Sequence, residues 1–331
     1  MIKVGIIGFG KMGKIRAEAI KSSGYAKIIS VYDEFSVEKS DHYKISNNID
    51  DIFNNNLIDA VFICTPNYMN KELVIKALNM DKHVFCEKPP AFTSNDVKEI
   101  IKVEKKTKKK LMYGFNHRHH ESIFKMKEVI DSSKYGKVLW MRGRYGKSVN
   151  ESFFKDWRSD KKLSGGGILL DQGIHMLDLF IMFGHGFNEV KAEVSNLYWN
   201  LDVEDNVFAI YKNSKTGVVA SLHSTMTQWR HLFSLEIFLE KGYLVLNGLK
   251  TSSGTYGEEI LTISKNRTAA PAAKWENEEN LTFSTDVSWS SEVNHFFKTI
   301  KNNSLIKIGN SSQALEVMIL IDKTYENGVG E

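Results

Sequence analysis

The sequence predicts an α/β fold in two parts: an N-terminal parallel sheet with crossover helices, then an α+β domain whose core is an antiparallel sheet. Three observations carry this. At 331 residues the chain exceeds one average core and suits two. Up to about residue 115, short β-branched runs alternate with amphipathic segments, the pattern of strands buried on both faces and joined by helices. Beyond about residue 120 the runs follow one another through glycine or polar turns, as strands do when they return antiparallel.

In the first part the candidate strands are KVGII (3–7), AKIISVY (26–32), DAVFIC (59–64), KHVFC (82–86) and KLMYGF (110–115). The candidate helices are 12–22, 69–79 and 94–108. Between Asp33 and Asp59 apolar periodicity fades, so only a short helix is expected there. A helix at 120–132 leads into the strand KVLWMRGRYG (137–146), a polar loop (147–163), the glycine run SGGG and the apolar helix ILLDQGIHMLDLFIMF (168–183). From 187 to 285, runs such as NVFAIYK, GVVASLHSTM, FSLEIFLEK and YLVLNG read as an antiparallel sheet. One face of it should lie on a core, the other being open to helices or a second subunit. Helices at 288–301 and 311–326 follow.

Composition excludes some partners. Lysine plus arginine number 44 and aspartate plus glutamate 40, a net charge of +4 that is too small to imply nucleic acid or an anionic membrane. Much of the excess lies in KVEKKTKKK (102–110), a solvated helix end favoured by the dipole. The two cysteines, Cys64 and Cys86, end apolar runs and read as buried free thiols of a reducing compartment. The opening MIKVGIIGFGKMG enters a strand at once, with no charged leader or long apolar segment. A cytoplasmic location is therefore expected, with no membrane and no nucleic-acid partner.

The hexapeptide GFGKMG places Gly8, Gly10 and Gly13 between a strand and a helix. The first glycine permits a tight turn, the second lets a pyrophosphate approach the backbone, and the third packs helix on strand, with Phe9, Lys11 and Met12 in the same loop. Alone the motif is weak, but Asp33 lies twenty residues past Gly13, where a ribose-binding carboxylate belongs. Asp33 favours NAD over NADP because it accepts from ribose hydroxyls and repels a 2′-phosphate. Lys39 is the one nearby cation that would favour NADP by folding back.

Ligands of a parallel sheet gather at the carboxyl ends of its strands. Here those ends carry Thr65, Pro66 and Asn67 in CTPN, Glu87 and Lys88 in CEKPP, and Asn116 and Arg118 in GFNHR. Two of the chain's four prolines follow Lys88 and restrict its backbone. A fixed lysine at a strand end suits a cleft; the bland reading is a turn in which Lys88 pairs with Glu87. The histidines of NHRHHE (116–121) alternate faces and do not suggest a metal.

In GGGILLDQGIHMLDL, Asp171, His175 and Asp178 fall on one helix face among apolar neighbours. Buried ionisable groups are costly unless paired or used. The stripe admits a proton-handling pair, a satisfied core histidine or a metal site, the last lacking further ligands at suitable spacing. Asp178 fits an orienting or structural role. Phe153, Phe154, Trp157, Arg158, Trp229 and Arg230 lie in segments that either border a cleft or simply pack, aromatics suiting sugar faces and arginines suiting carboxylate or phosphate.

Taken together, GFGKMG, TPN, EKP, GFNHR, WR (157–158) and GGG…DQGIH resemble, in order and across essentially the whole chain, the glucose-fructose oxidoreductase / inositol dehydrogenase / rhizopine-catabolism (Gfo/Idh/MocA) family. The resemblance implies a Rossmann domain, here 1–118, and a substrate-binding and oligomerisation domain, 119–331, with a large, open, mostly antiparallel sheet. The C-terminal helix is free to pack back on the first domain. It also implies NAD(P)-dependent oxidoreduction of a sugar, cyclitol or sugar derivative by a homodimer or homotetramer, with Lys88, Asp171 and His175 matching the catalytic lysine, aspartate and histidine. Asn70 departs from the family's TPNxxH, Pro90 stands where leucine is common after EKP, and the stretch after Asp33 is short.

Such chemistry needs a base for the hydroxyl proton and a cation facing the developing alkoxide. His175 is the candidate acid or base, Lys88 holds the oxygen, and Asp171 orients substrate or histidine; the reverse assignment of Lys88 and His175 stays open. Two other functions also fit the sequence. One is an NAD-dependent glycoside hydrolase that oxidises and re-reduces one sugar, the other a non-catalytic NAD-binding sensor.

Overall fold

The computed structural model describes residues 1–35, 41–266 and 274–328. It divides into two compact units: Met1–His119 with Lys162–Ser164 and Val287–Met318, and His120–Lys161 with Gly165–Asp286 and Ile319–Glu331.

The elements run β1 (Ile2–Ile7), α1 (Lys11–Ser23), β2 (Ala26–Tyr32), β3 (Lys44–Ile45), α2 (Ile49–Phe53), β4 (Ala60–Ile63), α3 (Asn70–Asn79), β5 (His83–Glu87), α4 (Ser94–Glu104) and β6 (Leu111–Gly114). They continue with α5 (Glu121–Asp131), β7 (Val138–Ser148), α6 (Lys161–Ser164), a π-helical turn (Leu169–Gly173), α7 (Ile174–Gly184), β8 (Glu189–Ser195), β9 (Asn206–Lys212) and β10 (Val219–Thr225). Last come β11 (Thr227–Leu239), β12 (Gly242–Asn247), β13 (Glu259–Lys265), β14 (Glu279–Phe283), α8 (Ser288–Lys301) and α9 (Ser311–Gly328). The five-residue α2 is the short helix expected between Asp33 and Asp59. Lys39 lies outside the described residues.

The first unit holds a six-stranded sheet in the order β3-β2-β1-β4-β5-β6, parallel throughout. This is the doubly wound Rossmann order, which reverses direction between β1 and β4 and so opens a crevice at their carboxyl ends. Burial explains the β-branched and aromatic runs: Val4, Ile6, Phe62 and Phe85 are 0 % exposed. Phe62 stacks on Phe85 at 4.8 Å, and Phe296 and Phe297 of α8 cover both. Helix α4 starts where Thr93 and Asp96 form a reciprocal capping box, which satisfies amides that the first helical turn leaves unbonded.

His83, which opens β5, gives a testable consequence of this burial. Its Nδ1 accepts the Lys110 amide at 2.9 Å, and burial, with Lys109 and Lys110 nearby, pulls its pKa down to about 4. A depressed histidine contributes stability that is complete above its unfolded value and is lost as pH falls towards the folded one. Between pH 7 and pH 5 the loss should be about 2 kcal/mol. Urea unfolding of His83→Gln, which retains an acceptor, should show that much less acid sensitivity; equal sensitivity would reject this account.

The second unit holds an eight-stranded sheet, β14-β13-β12-β11-β7-β10-β9-β8. Every pairing is antiparallel except β7 with β10, so the large, mostly antiparallel sheet is present, with β7 inserted at its centre. Alternation along β7 sorts the faces. Met141, Gly143 and Tyr145 are buried while Trp140, Arg142 and Arg144 are exposed. A Cβ on Gly143 would come within 2.5 Å of Met176, so α7 lies on the inner face and only glycine lets it approach.

The outer face of this sheet exposes Trp140, Phe208 and Ile210 at 39 %, 50 % and 51 %. It carries a groove of about 550 Å³ lined by Arg142, Arg144, Phe208, Ile210 and His223 among others. Because α7 packs on the opposite face, the groove is not where the candidate residues of that helix act. The helical stretch Lys161–Gly184 is long and apolar enough to cross a membrane, but 83 % of its apolar window is buried inside the structure, the setting of a core helix.

Candidate active site

In the first unit the glycine turn follows β1. Gly8 has φ +86°, and a Cβ there would lie 2.5 Å from the Cys64 carbonyl oxygen, while one on Gly13 would lie 2.1 Å from the Gly8 oxygen. Both glycines are required by the protein's own backbone. Gly10 differs, with nothing within 4 Å of its added Cβ; the packing does not require glycine there, and the space suits a ligand that approaches closely. Gly10 also caps α1, whose first turn, containing Lys11 and Met12, has no acidic residue. Its unbonded amides and dipole are therefore uncompensated by any carboxylate of that turn, a fit for a pyrophosphate.

Asp33 ties this turn to β2. Its Oδ2 accepts the Phe9 amide at 2.5 Å and its Oδ1 the Phe35 amide at 2.9 Å, so the same carboxylate that sequence assigned to ribose also fixes the loop.

Beyond β4, Thr65 donates to Asn70 Oδ1 at 3.2 Å, and Asn70 Nδ2 donates to the Pro89 carbonyl at 2.8 Å. Asn70 is 0 % exposed. The residue that departs from the family pattern thus bridges the TPN and EKP segments. Pro66 precedes the 3₁₀ turn Asn67–Met69, and Asn67 Nδ2 donates to the Ser164 carbonyl at 2.8 Å. Cys64 and Cys86 are free thiols, and burial pushes both well up, which leaves them inert.

Glu87 ends β5 with its carboxylate 2.5 Å from Arg16 Nε. Lys88 follows, half-buried, with a cis peptide bond to Pro89. At the end of β6, Asn116 Nδ2 donates to Ser288 Oγ at 3.2 Å, and Arg118 is 5 % exposed. The neighbouring histidines have separate partners: His117 meets Asn116 at 3.1 Å, His119 meets Ser291 at 3.1 Å and His120 meets Glu259 at 3.0 Å.

In the second unit, Asp171 sits on the π-helical turn and His175 on the first turn of α7. The sequence predicted one α-helix over 168–183; instead the Ile174 amide reaches back to the Leu169 carbonyl, winding the segment more widely, as helices often do at functional sites. The glycine run serves this start. Gly167 and Leu169 amides donate to the Glu204 carboxylate at 2.8 and 3.0 Å, and Cβ atoms on Gly166 and Gly167 would strike Tyr325 and Glu204 at 2.2 and 2.0 Å. The helix thus begins on a half-buried carboxylate whose pKa desolvation pushes up.

Asp171 is held by Arg158 and by two groups that the sequence did not single out. Lys147 Nζ is 3.3 Å from Oδ2, Gln172 Nε2 is 3.4 Å from Oδ2, and Arg158 Nε, which was anticipated, is 3.8 Å from Oδ1. Arg158 also lies over the Trp157 ring at 4.3 Å and pairs with Asp156 at 3.2 Å. His175 is 5 % exposed, its ring 6.4 Å from that of Tyr145, which meets Tyr256 edge-on at 5.5 Å. Tyr256 donates to Gln172 Oε1 at 3.3 Å. Burial first, then Tyr256 and Asp171 for Tyr145 and Asp171 for Tyr256, keep both phenols protonated.

Asp178 is 1 % exposed, as a structural role requires. Phe153 packs under Lys147 at 5.2 Å. Phe154 packs on Trp199, while Trp229, 85 % exposed, meets Arg230. Lys147 was signalled faintly by its place ending the RYGK run. Tyr256 had no signal, because nothing in spacing connects it to Gln172 across 84 residues.

A doubly wound sheet with a glycine turn open at Gly10 is the architecture of a dinucleotide-binding domain. The chain belongs to the Gfo/Idh/MocA oxidoreductase family: residues 2–115 match its NAD-binding Rossmann domain and residues 123–245 its C-terminal domain. It is 28 % identical over 279 residues to myo-inositol 2-dehydrogenase of Thermotoga maritima, covering 78 % of this chain and 79 % of that one. It is also 28 % identical over 262 residues to 2,7-anhydro-N-acetylneuraminate hydratase of Escherichia coli, covering 76 % and 67 %. Levoglucosan dehydrogenase in complex with NADH and L-sorbose has the same fold, with TM-score 0.87 at 21 % identity over 99 % of this chain and 97 % of that one.

Proposed function

We propose that this oxidoreductase acts on a secondary alcohol or ketone of a polyhydroxylated ring: a sugar, cyclitol or derivative, with an optional anionic group. The carrying observation is the Asp171 carboxylate, gripped by Lys147, Arg158 and Gln172 beside the aromatic surfaces of Trp157 and Tyr256. A carboxylate fixed this way accepts hydrogen bonds from ring hydroxyls, and aromatics suit sugar faces. The sugar and inositol dehydrogenases among its relatives support the same class.

NAD, bound on residues 1–118, supplies the hydride acceptor. Asp33 favours it over NADP by offering a carboxylate where a 2′-phosphate would have to sit. In the residues' own roles, Lys88 holds the reacting oxygen, His175 takes or returns the hydroxyl proton, and Asp171 orients the substrate. Asn116, Arg118, Trp157 and Arg158 line the bound molecules. Residues 119–331 carry substrate binding and oligomerisation. The exposed outer face of the eight-stranded sheet supports a homodimer or homotetramer, and the modest net charge supports a cytoplasmic enzyme without nucleic-acid or membrane partners.

Screening NADH formation and consumption against hexoses, inositols, sugar acids and nucleotide sugars, with lactate and malate as controls, should give turnover only among the ring compounds. Comparable kcat/KM for lactate or malate would sink the proposal, since a three- or four-carbon acid leaves the aromatic surfaces unfilled. A second reading, transient oxidation with no net redox change, is favoured by the hydratase name of the E. coli relative. Product chromatography in the same screen separates it: product without net NADH change supports transient oxidation. Cofactor binding with no product from any ring compound would instead indicate a sensor.

A further inference from the structure

Arg16 is 0 % exposed and joins three elements of the first unit. Its Nε meets Glu87 of β5 at 2.5 Å, and its Nη1 meets Glu292 of α8 at 2.6 Å. The guanidinium lies 4.4 Å from the Phe85 ring centroid and 4.7 Å from that of Trp289, contacts that favour a cation. A Cβ on Gly114 would fall 2.9 Å from both Arg16 Nη2 and Glu87 Oε2, so the end of β6 is kept bare to admit the pair.

Stability alone explains this cluster poorly. Desolvating ions costs several kcal/mol each, and packed apolar side chains of similar volume often do as well or better. What apolar groups cannot supply is a directional link between fixed points. Arg16 lies one helical turn past Gly13, whose packing on Gly8 sets α1 against the dinucleotide turn, and Glu87 immediately precedes Lys88. The pair therefore connects the helix that holds the cofactor to the residue before the reacting cation.

We propose that Arg16 and Glu87 are positioning residues that fix the Lys88 segment relative to the dinucleotide turn, and that Glu292 anchors α8 without this role. The proposal rests on the reading of Lys88 as the group that holds the reacting oxygen. Its physical basis is that hydride transfer loses rate steeply when reacting groups shift by an ångström.

The two links of Arg16 supply a matched test: Glu87→Met removes the link to β5 and keeps the Arg16–Glu292 pair, and Glu292→Met removes the link to α8 and keeps the Arg16–Glu87 pair. Both variants should lose comparable thermal stability. Only Glu87→Met should lose kcat, by about tenfold or more, with Glu292→Met within about twofold and NADH Kd within about threefold in both.

A parallel fall of kcat in the two variants, or no fall in either, would overturn the positioning role, as would a kcat loss that merely follows weaker NADH binding. If Glu87→Met does not fold, Glu87→Gln against Glu292→Gln makes the same comparison. Lys88→Ala, assayed alongside, separates the two levels. Near-normal turnover by Lys88→Ala would overturn the assignment of Lys88, whereas an inactive Lys88→Ala with symmetric carboxylate variants overturns the positioning role alone.

Discussion

Replacing Lys88 or His175 by alanine is expected to lower kcat by about 10²- to 10⁴-fold, the range for removal of a positioned acid or base, while NADH binding stays near that of the unmodified protein. Lys88 is half-buried at the end of β5, in a turn that Asn70 holds through the Pro89 carbonyl. His175 is 5 % exposed on a helix anchored by Glu204. Neither residue lies in the glycine turn, so truncating them should spare the pyrophosphate site. Stopped-flow turnover on the substrate found by the screen, together with fluorescence titration of NADH, measures both quantities. Near-normal kcat in both variants would mean that the site has been misplaced. The pH–rate profile then divides the roles: loss of a limb in His175→Ala assigns the titrating group to the imidazole, and its retention assigns it to Lys88.

A second large effect is expected from the three glycines taken one at a time. Gly8→Ala forces an L-residue to φ +86° against the Cys64 carbonyl, a backbone cost of about 1–3 kcal/mol before the clash is counted. Gly13→Ala meets the Gly8 oxygen at 2.1 Å, with no flexible side chain to yield. Both should lower the melting temperature and abolish NADH binding together. Gly10→Ala has open space, so its melting temperature should be unchanged. Its NADH Kd, measured by calorimetry, should nevertheless rise about tenfold or more, the methyl occupying the position a pyrophosphate must approach. Unchanged affinity in Gly10→Ala would show that the phosphates lie elsewhere.

The sequence was most informative where the physics is local. The Rossmann strands announced themselves because both faces are buried, which forces continuous apolar runs such as AVFI. Gly8 and Gly13 were legible because backbone contacts leave no alternative to glycine. The helix carrying Asp171 and His175 was found by its apolar stripe, but its π-helical turn was not. That turn follows amides held by Glu204, whose carboxylate Tyr325 contacts at 2.9 Å, and it gives no periodic signal of its own. The glycines of the SGGG run illustrate the same limit: they pointed to a close approach, yet only the fold shows that the neighbours are Glu204 and Tyr325. Partners such as Tyr256 with Gln172, or Arg16 with Glu292, are fixed by tertiary packing between residues whose sequence separation carries no pattern.

The apolar face shared by Phe62, Phe85, Phe296 and Phe297 also bears on how the protein is made. Arg16 and Glu292 are 276 residues apart, so at ribosomal rates the helix that completes the first unit is synthesised roughly 15 to 55 s after α1. Until α8 emerges, the nascent Rossmann strands expose this phenylalanine surface and Arg16 lacks one of its two carboxylates. A chaperone that shields that surface during translation would act where these strands are open to aggregation.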